Sequence, residues 1–267
     1  MGEFALLIQP DNEEPEAAEI LVEGAVGGRQ YLFLLDTGAA RSCLVFDDFT
    51  AGFAATGTHQ SSGVFAAQWE DLVHVPSIAF GPIVQREFPV ARSAGAHPGQ
   101  RNLIGMDLLK DHRCHFLFDE YRVVVDEEPR TGPALQTLFT DSKFHPYVDA
   151  QFGSARAAAV WDTGAGITVV DLRLVEQHPE FFQEVGRSFG TDATGASLET
   201  PTYQMKSVVI GGHAFPAHHV AAVDLSQVNR STETPFQLIL GYSTLRYAHW
   251  WFDFPGRVWG ITRMVEV

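Results

Sequence analysis

Two short stretches hold the residues whose types and spacing could do chemistry. Asp36-Thr37-Gly38-Ala39 recurs as Asp162-Thr163-Gly164-Ala165. Each copy follows an apolar run, 31–35 and 157–161, that reads as a buried strand. A carboxylate at the end of such a strand, with glycine two residues on, sits on a tight turn that another segment can approach closely. One such carboxylate is ambiguous. Two, one from each half of a pseudo-symmetric protein, can meet on the two-fold axis. There both cannot ionise cheaply, so one keeps its proton. A base and an acid then share one site without a metal. The base takes a proton from a water that attacks a carbonyl; the acid polarises the carbonyl oxygen and later supplies a proton. Peptide hydrolysis fits this chemistry. The alternative is a pair of structural turn aspartates in a duplicated scaffold that binds peptide without cleaving it.

The elements that must position these loops are also duplicated. Segment 57–63 resembles 190–196, and 77–81 resembles 208–211. Leu103-Ile104-Gly105 resembles Ile239-Leu240-Gly241, and 115–119 resembles 249–253. Five landmarks in one order predict two similar β-rich halves, each of a common domain size. The expected division is a flexible leader over 1–16, a first lobe over 17–128 and a second over 134–267. The boundary falls in the charged, Pro-containing stretch 126–133. Hairpins are expected around Gly27-Gly28 and Gly153-Ser154, and closing hairpins near Arg122 and Arg257. Helices are confined to 106–112, 171–178 with a continuation over 180–185, and 242–249. The fold class is therefore all-β with few short helices.

The paired loops and the later apolar-apolar-Gly motifs resemble those of the aspartic peptidases, in both their pepsin-like and retropepsin-like branches. The resemblance covers nearly the whole chain from about residue 20, and the run 102–109 looks especially like the retroviral form. It implies a bilobal, pseudo-two-fold acid-protease-like β-barrel fold, one chain carrying two retropepsin-like lobes. It implies Asp36 and Asp162 as the catalytic dyad and Thr37 and Thr163 as buried hydroxyls tying the loops together. Gly38 and Gly164 would flank the water, with Ala39 and Ala165 completing the loops. Gly105 and Gly241 would let a chain cross beneath each loop. Candidate flaps lie at Ser61-Ser62-Gly63 and at Thr194-Gly195. Two departures stand out. The second crossing motif reads Gly241-Tyr242-Ser243, without the acidic residue found at Asp107. Ala39 and Ala165 cannot donate a hydrogen bond to the outer carboxylate oxygen, and loss of a donor raises a carboxylate pKa. Activity is thus expected at mildly acidic to near-neutral pH.

Composition narrows the remaining classes. The chain has 267 residues, 45% hydrophobic and 19% charged, with net charge −15. Only three basic residues are lysines (Lys110, Lys143 and Lys206), so no basic face for nucleic acid or an anionic membrane is expected. No apolar run approaches the roughly 18–20 residues that span a bilayer. Two cysteines, Cys43 and Cys114, make no disulfide framework. Cys43 lacks the partner histidine a nucleophile needs. Eleven histidines give dense patches at 112–115 and 213–219, but neither has a zinc spacing, so no metal and no cofactor are expected. The N-terminus has no basic n-region or long apolar stretch. The expectation is a cytoplasmic monomer acting on a peptide or protein.

Overall fold

Strand Arg29–Leu35 sends Phe33 and Leu35 to the main core and Leu34 to the opposite face, as a period of two requires. Its counterpart Ala155–Trp161 sends Ala157, Ala159 and Trp161 to the core and Val160 to the opposite face. Both faces of these strands are thus used, one for the core and one for a smaller cluster. The computed structural model describes residues 1–267 except 65, 66, 96–99, 133, 192–196, 231 and 267, and omits the side chains of Ser62, Ala67 and Thr191. Strands take 55% and helices 11%, which makes the fold all-β. Among the described residues, no helix is long and apolar enough to cross a membrane.

Two sheets repeat one strand order. In the first half it runs Leu7–Pro10, Ala18–Val26, Arg29–Leu35, Asn102–Ile104, Cys43–Leu44, Ile83–Ser93, Ala67–Phe80, Ala55–Ser62. In the second it runs Phe139–Thr140, Pro146–Phe152, Ala155–Trp161, Leu238–Leu240, Thr168–Asp171, His218–Val223, Ser197–Met205, Phe182–Thr191. The parallel pairs fall in matching places: Arg29–Leu35 with Asn102–Ile104, and Ala155–Trp161 with Leu238–Leu240. Each is a non-local pairing that brings an apolar-apolar-Gly segment beside an Asp loop. The second half differs in one respect. Its long hairpin is split, and Val208–Ile210 and His213–Phe215 form a separate pair before Pro216, which cannot donate to a ladder.

A third, six-stranded sheet is shared by the halves. Its order is Gly2–Ala5, Arg122–Val125, Arg113–Leu117, Ala248–Asp253, Val258–Met264, Gln136–Thr137. The central pair joins the halves, setting Cys114 opposite Phe252 and Phe116 opposite Trp250. The Trp161 ring lies 4.7 Å from Phe116 and 4.6 Å from Phe252. An aromatic layer therefore supports the residue that precedes Asp162. Trp250, Trp251 and Phe252 are all buried, as expected of a core strand.

Much of the expected flexible leader over 1–16 lies in sheets. Gly2–Ala5 pairs with Arg122–Val125, and Leu7–Pro10 pairs with Ala18–Val26. Phe4 and Leu6 are buried, and the Phe4 ring packs edge-on against Phe80 at 5.4 Å. Beyond the strands, Glu16 accepts the His219 backbone N–H at 2.7 Å and Glu14 contacts the His219 ring at 3.0 Å. The alternation of Phe4, Leu6 and Ile8 outweighs the acidic composition that follows it. Phe4→Ala is expected to lower unfolding free energy by about 3 kcal/mol in urea denaturation, the cost of truncating a buried aromatic. The expected helix over 180–185 is also corrected: Pro179–Phe181 is a single 3₁₀ turn and Phe182–Thr191 is a strand. The helices Met106–Leu109 and Tyr242–Leu245 are shorter than expected, and Leu172–Gln177 is capped by the Asp171 side chain. Ser226–Arg230 is a helix that periodicity did not reveal.

Candidate active site

Each Asp loop is built on the strand before it and clamped by the segment beside it. The Asp36 N–H donates to the Ile104 carbonyl at 2.9 Å, and the Asp162 N–H to the Leu240 carbonyl at 3.0 Å. The chain then crosses the loop: the Met106 N–H donates to Ala39 O and the Tyr242 N–H to Ala165 O, both at 2.8 Å. The crossing needs glycine. A Cβ on Gly105 would stand 2.7 Å from the Arg41 carbonyl carbon, and one on Gly241 would stand 2.5 Å from the carbonyl oxygens of Ala165 and Ile167.

The buried threonines link the loops across the halves. The Thr37 N–H donates to Thr163 Oγ1 at 3.1 Å, and the Thr163 N–H donates to Thr37 Oγ1 at 3.0 Å. Thr37 Oγ1 donates in turn to the Trp161 carbonyl at 2.9 Å. This reciprocal bonding fixes the register of one Asp loop on the other.

Each carboxyl lies against the glycine of the opposite loop, Asp162 on Gly38 and Asp36 on Gly164, and the two bear on one another's ionisation. Asp36 is 6% exposed. Asp162 Oδ1 accepts the Gly38 N–H at 3.1 Å, from the opposite loop, and the Gly164 N–H at 2.8 Å. Burial, then the charge of Asp162 and its hydrogen bond, hold the Asp36 carboxyl well above the usual carboxylate range. Burial also raises Asp162, but the Gly164 and Gly38 N–H groups and His145 oppose the rise. The direction agrees with the expectation drawn from Ala39 and Ala165. The leading cause is different: desolvation rather than a missing donor.

Beneath the loops, hydroxyl groups satisfy the crossings, and the halves use different side chains for one task. In the first half Ser42 Oγ accepts the Gly105 N–H at 3.0 Å and donates to Asp107 Oδ1 at 2.7 Å. In the second, Thr168 Oγ1 accepts the Gly241 N–H at 3.0 Å, and Ser243 Oγ accepts the Thr168 N–H at 3.0 Å. Ser243 thus does what Asp107 does when it accepts the Ser42 N–H at 2.9 Å. The missing acidic residue leaves no hole. Burial lowers the pKa of His218, which favours its neutral form. Its Nδ1–H donates to the Pro216 carbonyl, which can only accept, so Nε2 accepts from Thr244 Oγ1 at 2.6 Å. Thr168 Oγ1 then donates to Thr244 Oγ1 at 2.6 Å. Thr168→Val is expected to cost about 1–3 kcal/mol in chemical denaturation, because it orphans the buried Gly241 N–H.

The first candidate flap belongs to a hairpin with arms Ala55–Ser62 and Ala67–Phe80. Ser61 and Ser62 lie on its first arm, and Gly63 follows that arm. Val64 packs against an apolar cluster of the opposite half: Tyr147, Val160, Leu225, Phe236 and Ile239. The hairpin therefore reaches across the space between the halves. The second hairpin has arms Phe182–Thr191 and Ser197–Met205. Its candidate tip residues, Thr194 and Gly195, lie outside the described residues.

Other titratable groups stand away from the aspartates. Cys43 and Cys114 are buried free thiols, and burial pushes both upward in pKa, which suits neither to nucleophilic attack. His115 and His249 lie 6.1 Å apart on the shared sheet, beside an open cavity of about 600 Å3 that no Asp-loop residue lines. Among the described residues one group, Asp119, Glu120 and His249, could hold a metal ion. Arg263 already occupies that position, donating to Asp119 at 2.6 Å and lying 2.8 Å from His249 Nε2.

Sequence reasoning missed Ser42, Thr168, Thr244 and His218, which support the crossings, and His145, which opposes the rise of the Asp162 carboxyl. Ser42 and Thr168 each lie six residues past an aspartate of the repeat, a position where two hydroxyls in register were the available signal. No protein-family model matches the sequence, and no curated protein matches it.

Proposed function

We propose that the chain is an aspartic endopeptidase on a bilobal acid-protease fold, cleaving peptide bonds in a cleft between its halves. The observation that carries this reading is that the Asp36 and Asp162 carboxyl groups face each other, each against the glycine of the opposite loop, on reciprocally bonded Asp-Thr-Gly loops. Both carboxyls are raised, so the pair shares one proton; the Gly38 and Gly164 N–H groups on Asp162 Oδ1 favour its charged form, which leaves the proton to Asp36 in the step that follows. A water between them gives a proton to Asp162 as its oxygen bonds to the scissile carbonyl carbon. Asp36 gives its proton to the carbonyl oxygen. The tetrahedral diol collapses as Asp162 gives its proton to the amide nitrogen and a diol hydroxyl gives one back to Asp36; the C–N bond breaks, and an acid and an amine leave with the pair restored. Because one chain supplies both aspartates, the reading needs no partner and describes a monomer. The hairpin carrying Val64 covers the cleft and must lift for a chain-like substrate to enter.

The test is cleavage of a mixed peptide library followed by mass spectrometry, with a statine-type transition-state mimic as inhibitor. Cleavage that the mimic abolishes is the expected result. Peptide binding without cleavage between pH 3 and 8 would instead identify a binding module.

A further inference from the structure

The two clusters that flank the Asp loops occupy equivalent places but differ in chemistry. Leu34 stands two residues before Asp36 and Leu103 two before Gly105; Val160 and Ile239 stand likewise before Asp162 and Gly241. The second-half cluster, with Tyr147, Leu225 and Phe236, is covered by Val64 and is apolar but for the Tyr147 hydroxyl, which donates to the Thr234 carbonyl at 3.0 Å; the buried carboxylate beside it, Asp141, is paired with His145 at 2.8 Å. The first-half cluster is Leu21, Leu34, Cys43, Ala91 and Leu103. Against it lies a carboxylate, Glu70, which is 5% exposed. Cys43 Sγ donates to Glu70 Oε1 at 3.4 Å, and Gln68 Nε2 donates to the same oxygen at 3.0 Å.

The strand register identifies the counterpart of Glu70. Ala91 lies opposite both Cys43 and Leu72; Ala221 lies opposite both Val169 and Thr202. Two residues earlier in each strand are Glu70 and Thr200, so a carboxylate stands where the other half has a buried hydroxyl. Thr200 satisfies itself on the Ser188 carbonyl at 3.4 Å. Unlike Asp141, Glu70 has no ion-pair partner among the described residues. Among the described residues, no basic nitrogen lies within 4.0 Å of it. Arg92 is engaged by Asp71 and by the Thr50 and Phe53 carbonyls, and Arg101 by Glu19. The two donors to Glu70, Cys43 and Gln68, are neutral and share one oxygen, so the fold supplies no counter-charge to this carboxyl. The net charge of −15 adds a field that draws cations toward the protein.

We propose that the first-half wall of the cleft receives a lysine or arginine side chain of the substrate, with Glu70 as its counter-charge, while the opposite wall receives an apolar side chain. This inference rests on the peptidase reading for its site and adds the substrate class. The chain would then select peptides with a basic residue on one side of the scissile bond and an apolar residue on the other.

The experiment uses oligopeptide pairs that differ only in lysine against norleucine at each position around a candidate bond. Binding is measured by fluorescence anisotropy on Asp36→Asn protein with and without Glu70→Gln, and cleavage on protein with Asp36 intact. The expected result is a preference of about tenfold or more for lysine at one position, falling to about one with Glu70→Gln. A ratio near one with Glu70 present, a lysine preference that survives Glu70→Gln, or no peptide binding overturns the inference. The ratio with Glu70 present decides even if the Gln variant fails to fold. Lysine-selective binding with no cleavage by the Asp36-intact protein would sink the peptidase reading and leave the cation site standing.

Discussion

Asp36→Asn and Asp162→Asn are each expected to lower kcat for peptide cleavage by at least about a thousandfold, and to raise the unfolding midpoint at pH 7. The first effect follows from the shared proton. An amide can neither take the proton of water nor give one to the carbonyl oxygen, and the remaining carboxyl cannot do both at once. The double variant is expected to be no worse than either single one, because the pair acts as a unit. The second effect follows from linkage. Burial raises both carboxyls in the folded chain, Asp36 further through Asp162. A group whose folded pKa lies above its unfolded value stabilises the fold below the unfolded pKa, and that contribution is lost as pH rises through the folded pKa. At neutral pH the native pair therefore opposes folding, and an asparagine removes the opposition. Thermal melts at pH 4 and pH 7 check the sign. The gain from Asn should be present at pH 7 and shrink toward zero at pH 4. Asn variants less stable than the native chain at pH 7 would contradict the pKa directions; retained cleavage would remove the dyad.

The same directions shape the rate profile. The pair titrates in two macroscopic steps, and activity requires the singly protonated state between them. Because Asp36 is held well above the usual range, the alkaline limb moves toward neutrality. Peptide cleavage is expected to peak between mildly acidic and near-neutral pH, and a maximum below about pH 3 would contradict it.

Much of this site was legible because its parts are contiguous. The Asp loops, the crossing glycines and the strands before them are short runs whose types repeat in order, and the two sheets follow that order strand for strand. What escaped notice was non-local. The partner of Gly2–Ala5 is Arg122–Val125, so no window along the chain could show that Phe4 is buried. Ser243 was read as a departure from Asp107, although any side-chain oxygen can accept the Thr168 N–H. The two smaller clusters escaped for a further reason. Leu34 and Val160 lie on the off-phase face of buried strands, where a continuous apolar run hides which residues leave the core.

Gly38→Ala and Gly164→Ala are expected to lower kcat/KM by at least about a hundredfold while leaving a folded protein. Both glycines have ordinary backbone angles, so alanine strains nothing locally. The obstacle is the opposite aspartate. A Cβ on Gly38 would stand 2.6 Å from Asp162 Cγ, and one on Gly164 would stand 2.6 Å from Asp36 Oδ1. Real Cβ atoms do not approach so closely, so the methyl must push the opposing carboxyl away from the other. An aspartate can rotate away, which is why the fold survives, but the shared proton does not. Gly241→Ala is the control with the contrary outcome. Its Cβ meets backbone atoms of Ala165 and Ile167 at 2.5–2.6 Å. Backbone cannot rotate aside, so the crossing itself must open and stability falls with activity. The measurements are kcat/KM on a cleaved peptide and the urea midpoint at pH 4 and pH 7. If the pair makes the chemistry, Gly38→Ala loses rate and also loses the pH-dependent destabilisation that the coupled carboxyls impose, whereas Gly241→Ala loses midpoint at both pH values. Full activity in Gly38→Ala would mean that the two carboxyls need not touch, and that the loops meet for support alone.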